Sequence, residues 1–150
     1  MQNADTPSTI HATPRLLEGK HAVITGGSEG IGFGIAQAFV HVGASLILIG
    51  RSRQKLEAAR HELMSTGQTS QNQPPSVHLL EADLQHPERV QHVADAMLAR
   101  WPRVDVLVNN AGIGRFAAFT DTDEALFDQH VHLNVKAPYF LTQRLLPALI

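Results

Sequence analysis

The chain has 150 residues, 43% of them hydrophobic and 17% charged, and a formal net charge of -2. This composition suits a globular chain long enough to bury one core, and its near-neutral balance gives no electrostatic footing for nucleic acid or an anionic membrane surface. Cysteine is absent, which removes disulfides, thiolate nucleophiles and cysteine metal sites and fits a reducing, cytoplasmic setting.

Residues 1–19 read as a loose tail. The first part is polar, contains Pro7 and Pro14, and has neither an apolar signal core nor an Arg-rich amphipathic pattern. A single domain follows, over 20–150. "HAVIT", 21–25, reads as a short buried strand that ends in glycines. Ile31, Ile35, Ala38, Phe39 and Val42 then recur at helical spacing. Residues 30–50 carry no Asp, Glu, Lys or Arg, so a membrane span has to be weighed. Five glycines, Gln37, His41 and Ser45 interrupt that run. A break at His41-Val42-Gly43 instead divides a helix from a second strand, "ASLILIG", 44–50.

Residues 52–66 read as a helix with Leu56, Ala59 and Leu63 on one face and Gly67 placed to cap its C-terminus. "TSQNQPP", 69–75, is a loop, and "VHLLEA", 77–82, a third strand. Pro87 opens the next helix. Its apolar stripe is Val90, Val93, Ala94, Met97, Leu98 and Trp101, and Pro102 closes it. "VDVLVNN", 104–110, is a fourth strand, and residues 121–149 are mostly helical. Strands that alternate with helices predict an α/β chain, a doubly wound parallel sheet with right-handed crossovers. There is no internal repeat or low-complexity tract. Ligands of such sheets bind beyond the carboxyl ends of the strands. The glycine loop, Arg51, Asp83 and Asn110 each follow a strand and so converge on one edge.

Gly26, Gly30 and Gly32 lie between the first strand and the first helix. There they permit a tight turn and close approach of a ligand to the backbone, and the helix N-terminus offers free N–H groups to a pyrophosphate. The competing reading is a glycine-rich turn with no ligand. The spacing is Gly-x-x-x-Gly-x-Gly with no Gly-Lys-Ser/Thr ending, which argues against a nucleotide triphosphatase. The second strand ends without an acidic residue and runs into "RSR". Arg51 is a candidate clamp for a 2′-phosphate, assisted by Ser52 and Arg53. The alternative is solvated charge at a helix start, but cations there oppose the helix dipole and an anionic ligand would offset that cost. NADP(H) is therefore favoured over NAD(H). Asp83 is a nucleotide contact, a turn cap, or both. No metal site is expected, since His130 and His132, two apart, point to different helix faces.

Phe127, Val131, Asn134, Leu141 and Leu145 fall near one helical face, which puts Asn134 on an apolar stripe, where burial demands partners. Pro138 has no N–H for the carbonyl of Asn134. That leaves two readings, a buried structural Asn or a carbonyl available to water.

Thr25 to Gly32 as Thr-Gly-x-x-x-Gly-x-Gly, Asn109 to Gly112 as Asn-Asn-Ala-Gly, Asp83 after the third strand and Asn134 in the later helix stand in order. On these motifs, from about Lys20 to Ile150, the chain resembles the short-chain dehydrogenase/reductase family. The resemblance implies a Rossmann-type sheet of strand order 3-2-1-4. It implies a dinucleotide held by Gly26, Ser28, Gly30, Ile31 and Gly32, by Asp83 and Leu84 at the adenine, and by Asn110, Ala111 and Gly112. It casts Asn134 as a catalytic residue whose main-chain carbonyl holds a water in an Asn-Ser-Tyr-Lys set. One departure is that Ser28 and Glu29 stand where many NADP-preferring members carry a basic residue.

The only tyrosine, Tyr139, is followed four residues later by Gln143, and the only lysines are Lys20, Lys55 and Lys136. The family's Ser and Tyr-x-x-x-Lys would thus lie beyond Ile150, and Tyr139 reads as a packing residue. The expected sheet is truncated, with 104–110 a bare apolar edge and the last helix short of partners. The resemblance implies the cofactor-binding half of an NADP(H)-dependent oxidoreductase, inactive as 150 residues. It would act on a small carbonyl or alcohol only if the chain continues, and would form a homo-oligomer through the C-terminal helix. A non-catalytic NADP(H)-binding module and an interaction fragment are the competing readings.

Overall fold

The computed structural model describes residues 15–66 and 74–149. Most of the expected tail, Gly67 and most of the 69–75 loop lie outside them. In chain order the elements are β1 (His21–Thr25), α1 (Gly30–His41), β2 (Ser45–Gly50), α2 (Arg53–Thr66), β3 (Val77–Glu81), α3 (Pro87–Arg100), β4 (Val106–Val108), α4 (Glu124–Val131) and α5 (Ala137–Leu145). The strands form one parallel sheet in the order β3-β2-β1-β4. No helix among the described residues is long and apolar enough to cross a membrane.

Period-two alternation divides each strand between two cores. Val23, Ile47, Ile49, Leu80 and Leu107 face α3 and α5. Ala22, Ile24, Leu46, Leu48, Val77, Leu79, Val106 and Val108 face α1 and α2. Because helices cover both faces, β1 and β2 read as unbroken apolar runs rather than as alternating ones. α1 ends in a Schellman cap. Ala44 N–H donates to the Phe39 carbonyl at 2.9 Å, and Gly43 N–H to that of Val40 at 3.0 Å. Gly43 supplies the required left-handed conformation at φ 98°. This cap is what turns the uncharged 30–50 run into a helix and a strand.

Several expectations are corrected. The buried face of α1 is Gly32, Ala36 and Val40. Ile31 is 79% exposed and Ala38 is also exposed. The phase shifts because Gly32, having no side chain, lets the helix start lie directly on the loop. Residues 15–19 are docked rather than loose, since Leu17 N–H donates to the Val42 carbonyl at 2.9 Å and its side chain packs on the α1–α2 core. β4 is only three residues long, and its outer side is not wholly bare. Val104 N–H donates to the Ala148 carbonyl at 2.8 Å, and Val104 pairs in parallel with Leu149.

α5 does have a packing partner, α3, and shares one core with it. A π-helical turn over His132–Lys136 lies between α4 and α5, with Ala137 N–H donating to the His132 carbonyl. The wider turn comes just ahead of Pro138, which has no N–H to give to Asn134. The extra residue rotates the phase of the helix. Leu133, Ala137, Leu141 and Leu145 are therefore the buried positions, whereas Asn134 and Phe127 are exposed. Tyr139 is 61% exposed and makes only an edge-on contact with Phe140 at 5.1 Å, so it is not a core packing residue.

Two titratable groups, His78 in β3 and Asp105 just before β4, are displaced from their ordinary values. His78 lies edge-on to Trp101 at 5.8 Å, and Trp101 stacks on His21 at 4.2 Å. Burial, then the charges of Arg100 and Arg60 and the neighbouring His21, push the His78 imidazole below its ordinary value of 6.5. Burial works to raise the Asp105 carboxyl. The bond from His21 N–H and the Lys20 and Arg103 charges outweigh burial and hold it below 3.8. In both cases the unfolded chain takes up the proton first, so acid removes stability. Urea midpoints should fall as pH drops below about 6.5 and again below about 3.8. His78→Gln should flatten only the upper step and Asp105→Asn only the lower. A profile unchanged in both variants would show that these groups do not carry the acid sensitivity.

Candidate dinucleotide site

A cavity of about 440 Å³ opens where the strands end, between the glycine loop, the start of α2 and the segment after β4. That volume is in the range of small-molecule sites. Its floor is a knot of hydrogen bonds around Thr25, which is 2% exposed. The Thr25 hydroxyl donates to the Val108 carbonyl at 3.3 Å and accepts from Asn110 N–H at 3.0 Å and Ala111 N–H at 2.9 Å. One donor and two lone pairs are thus all used. The Asn110 amide returns the tie, donating to the carbonyls of Thr25 at 3.0 Å and Gly26 at 3.1 Å. The loop is held from the other side by Gly26 N–H on the Ile49 carbonyl at 2.7 Å.

The first helix comes in close to this knot. A Cβ on Gly32 would lie 2.2 Å from the Gly26 carbonyl oxygen and 2.4 Å from the Asn110 amide nitrogen. Only glycine lets the helix N-terminus stand that near the loop. The side chain of Glu29, at the N-cap, makes no capping bond, so the first-turn N–H groups and the positive end of the dipole are open to an anion.

Around this cavity the structure brings together most of the residues singled out in the sequence. Gly26, Ser28, Arg51, Ser52, Asp83, Leu84, Asn110, Ala111 and Gly112 all line the cavity. Asp83 also caps its own turn, accepting from Gln85 N–H at 3.0 Å, and its other oxygen has no hydrogen-bond partner among the described residues. Arg51 has no ion pair or hydrogen bond among the described residues. Arg53 does not line the cavity; it pairs with Glu57. Ile31, Gly30 and Gly32 also lie outside the lining; Gly32 packs on the loop, and Gly30 takes up a left-handed turn at φ 58° with open space around it. Six lining residues were not foreseen: Glu29, Ile49, Gly50, Lys55, Ala82 and Leu133. Lys55 and Glu29 form an ion pair of 2.7 Å across the mouth. In the sequence their separation of 26 positions hides the pair.

Asn134 acts next door. Its amide makes a two-point bond to the backbone of Ile113: Ile113 N–H donates to Oδ1 at 2.9 Å, and Nδ2 donates to the Ile113 carbonyl at 2.9 Å. The same loop is pinned again where Arg115 N–H donates to His130 Nε2 at 3.1 Å. The other nitrogen of that ring faces the Leu126 carbonyl at 2.8 Å, which selects the Nδ1–H tautomer. The sequence offers His130 only as a poor metal ligand beside His132 and does not reveal this role; a polar ring one residue before an apolar helix turn carries no distinctive signal. No cluster of three or more His, Asp or Glu residues among those described could hold a metal.

The profile of the short chain dehydrogenase family matches residues 20–150. "Short chain dehydrogenase pigC" from Monascus ruber is 34% identical over an alignment covering 97% of this chain and 51% of its own length. "Oxidoreductase UcpA" from Salmonella typhimurium is 37% identical over 89% of this chain and 48% of its own. A metagenomic short-chain oxidoreductase solved in complex with NADP superposes with a TM-score of 0.80, 36% identity, and coverage of 88% of this chain and 57% of that one. L-sorbose reductase from Gluconobacter frateurii, solved with NADPH and L-sorbose, gives 0.80 and 31% over 88% and 48%. The chain spans about half the length of these relatives.

Thr25→Val keeps the shape but leaves two buried N–H groups without an acceptor, a loss of about 2 to 4 kcal/mol, whereas Thr25→Ser should cost about 1 kcal/mol or less. Urea unfolding separates the two; equal losses would count against the hydroxyl knot. Gly32→Ala should cost at least about 2 kcal/mol, because the clash is with backbone.

Proposed function

The chain belongs to the short chain dehydrogenase family, and from that membership we propose that it forms the NADP(H)-binding half of an oxidoreductase that interconverts a small carbonyl and its alcohol. The observation that carries the cofactor choice is Arg51. It stands at the end of β2, lines the cavity, and has no carboxylate partner among the described residues. An acidic residue at that point would instead bond a ribose 2′-OH. The NADP and NADPH complexes among the related structures support the same choice.

The residues present fit the dinucleotide. The open N–H groups of α1 and its dipole suit the pyrophosphate. Arg51 and Ser52 suit the 2′-phosphate, Asp83 suits the adenine amino group, and Leu84 would supply apolar contact to the ring. Ala111 and Gly112 would hold the remainder of the cofactor, with Asn134 fixing the next residue, Ile113. NADP(H), when bound, supplies or accepts the hydride. The amide of Asn134 is committed to Ile113, so any water of a proton relay would rest on its main-chain carbonyl, which Pro138 cannot engage. The acid that protonates the forming alkoxide is not drawn from Tyr139, which does not line the cavity. Association through α5 belongs to the same reading, since Tyr139, Phe140 and Leu146 are 61%, 46% and 63% exposed on it and just beyond it.

NADPH should bind at least about ten-fold more tightly than NADH, and Arg51→Ala should remove about 1.5 to 3 kcal/mol of the NADPH affinity with little change for NADH. Nicotinamide fluorescence titration measures both. Equal affinity for the two cofactors in the unaltered protein would sink the NADP(H) assignment.

A further inference from the structure

The phosphate end of the cavity carries a charge arrangement that the cofactor reading does not by itself require. Glu29 occupies the N-cap of α1, where a carboxylate would ordinarily bond the first-turn N–H groups. It makes no such bond and reaches across to Lys55 Nζ at 2.7 Å. Lys55 sits in the first turn of α2, where its own N–H donates to Ser52 Oγ at 3.3 Å. Glu29, Lys55, Arg51 and Ser52 all line the one cavity. Arg53 is not available to the same ligand, because Glu57 holds it and also takes Arg60 at 2.5 Å. An incoming phosphate therefore meets one cation without a partner among the described residues, Arg51, and one already neutralised, Lys55.

Resting on the NADP(H) reading, we propose that Glu29 is the exchangeable counter-ion of the 2′-phosphate subsite. It holds Lys55 when no 2′-phosphate is present and yields it when the phosphate enters. Both partners are largely solvated, with side chains 56% and 67% exposed, so the pair is weak enough to exchange. A dianionic phosphate is the stronger acceptor for an ammonium group. The carboxylate remains close by after the exchange and repels the phosphate, so Glu29 sets the strength of discrimination between phosphorylated and unphosphorylated dinucleotide. Lys55 thereby supplies from α2 the basic group that the glycine loop lacks at Ser28 and Glu29.

Calorimetric titration of the full native chain with adenosine 2′,5′-bisphosphate and with 5′-AMP isolates the 2′-phosphate. Lys55→Gln should weaken the bisphosphate about five- to ten-fold, and Glu29→Gln should strengthen it about three- to five-fold. 5′-AMP should stay within about two-fold in both. With Lys55→Gln already present, adding Glu29→Gln should give a smaller gain, because no cation is left to release. If the ratio of the two affinities is the same in the unaltered protein and both variants, the exchange is overturned while the cofactor reading stands. If the unaltered protein binds neither nucleotide, both fall.

Discussion

The site depends on how Thr25 and Asn110 tie the carboxyl ends of two neighbouring strands. β1 and β4 are adjacent in the sheet but about eighty residues apart in the chain, and β4 is short. Its end could wander without a lock beyond the ladder. Thr25 provides it by using every hydrogen-bonding capacity of one buried hydroxyl, and Asn110 closes the loop from the opposite side. Once this knot exists, the glycine loop has a fixed floor and the first helix can stand against it. The segment 110–112 then lines the cavity. Asn134 and His130 extend the same logic outward, each holding a backbone segment with a side-chain amide or ring.

Electrostatics at the cavity follow from this frame rather than from net charge. The chain as a whole is slightly acidic, yet the cavity meets an uncapped helix N-terminus and a cation without a partner among the described residues. Most of the remaining cations at this end are matched locally, Lys55 by Glu29 and Arg53 by Glu57. Arg51 stands out because no carboxylate among the described residues has reached it. A cation left so at a helix start opposes the helix dipole, and a bound anion removes that opposition.

Much of this was legible in the sequence. The alternation of apolar runs and helical stripes foretold a parallel sheet, and Val90, Val93, Ala94 and Met97 in α3 are buried as their spacing requires. The strand-terminal positions of Asp83 and Asn110 announced the cavity. Two helices were read out of phase for definite reasons. In α1 the closest contact is made by a residue with no side chain, so hydrophobicity points to the wrong face. Before α5 a π turn inserts an extra residue, and a regular period carried across it puts Asn134 where Leu133 belongs.

The sequence by itself determined the order of elements, the sheet class, the family and the cationic end of the second strand, because these follow from local periodicity and from motifs a few residues long. Tertiary structure alone decided which cation stays without a partner, that Glu29 turns from its helix to Lys55, and that Asn134 spends its amide on Ile113. Those outcomes depend on distances between segments far apart in the chain. Hydrogen bonds and ion pairs act over only a few ångströms, so nothing in the spacing of residues along the chain could reveal them.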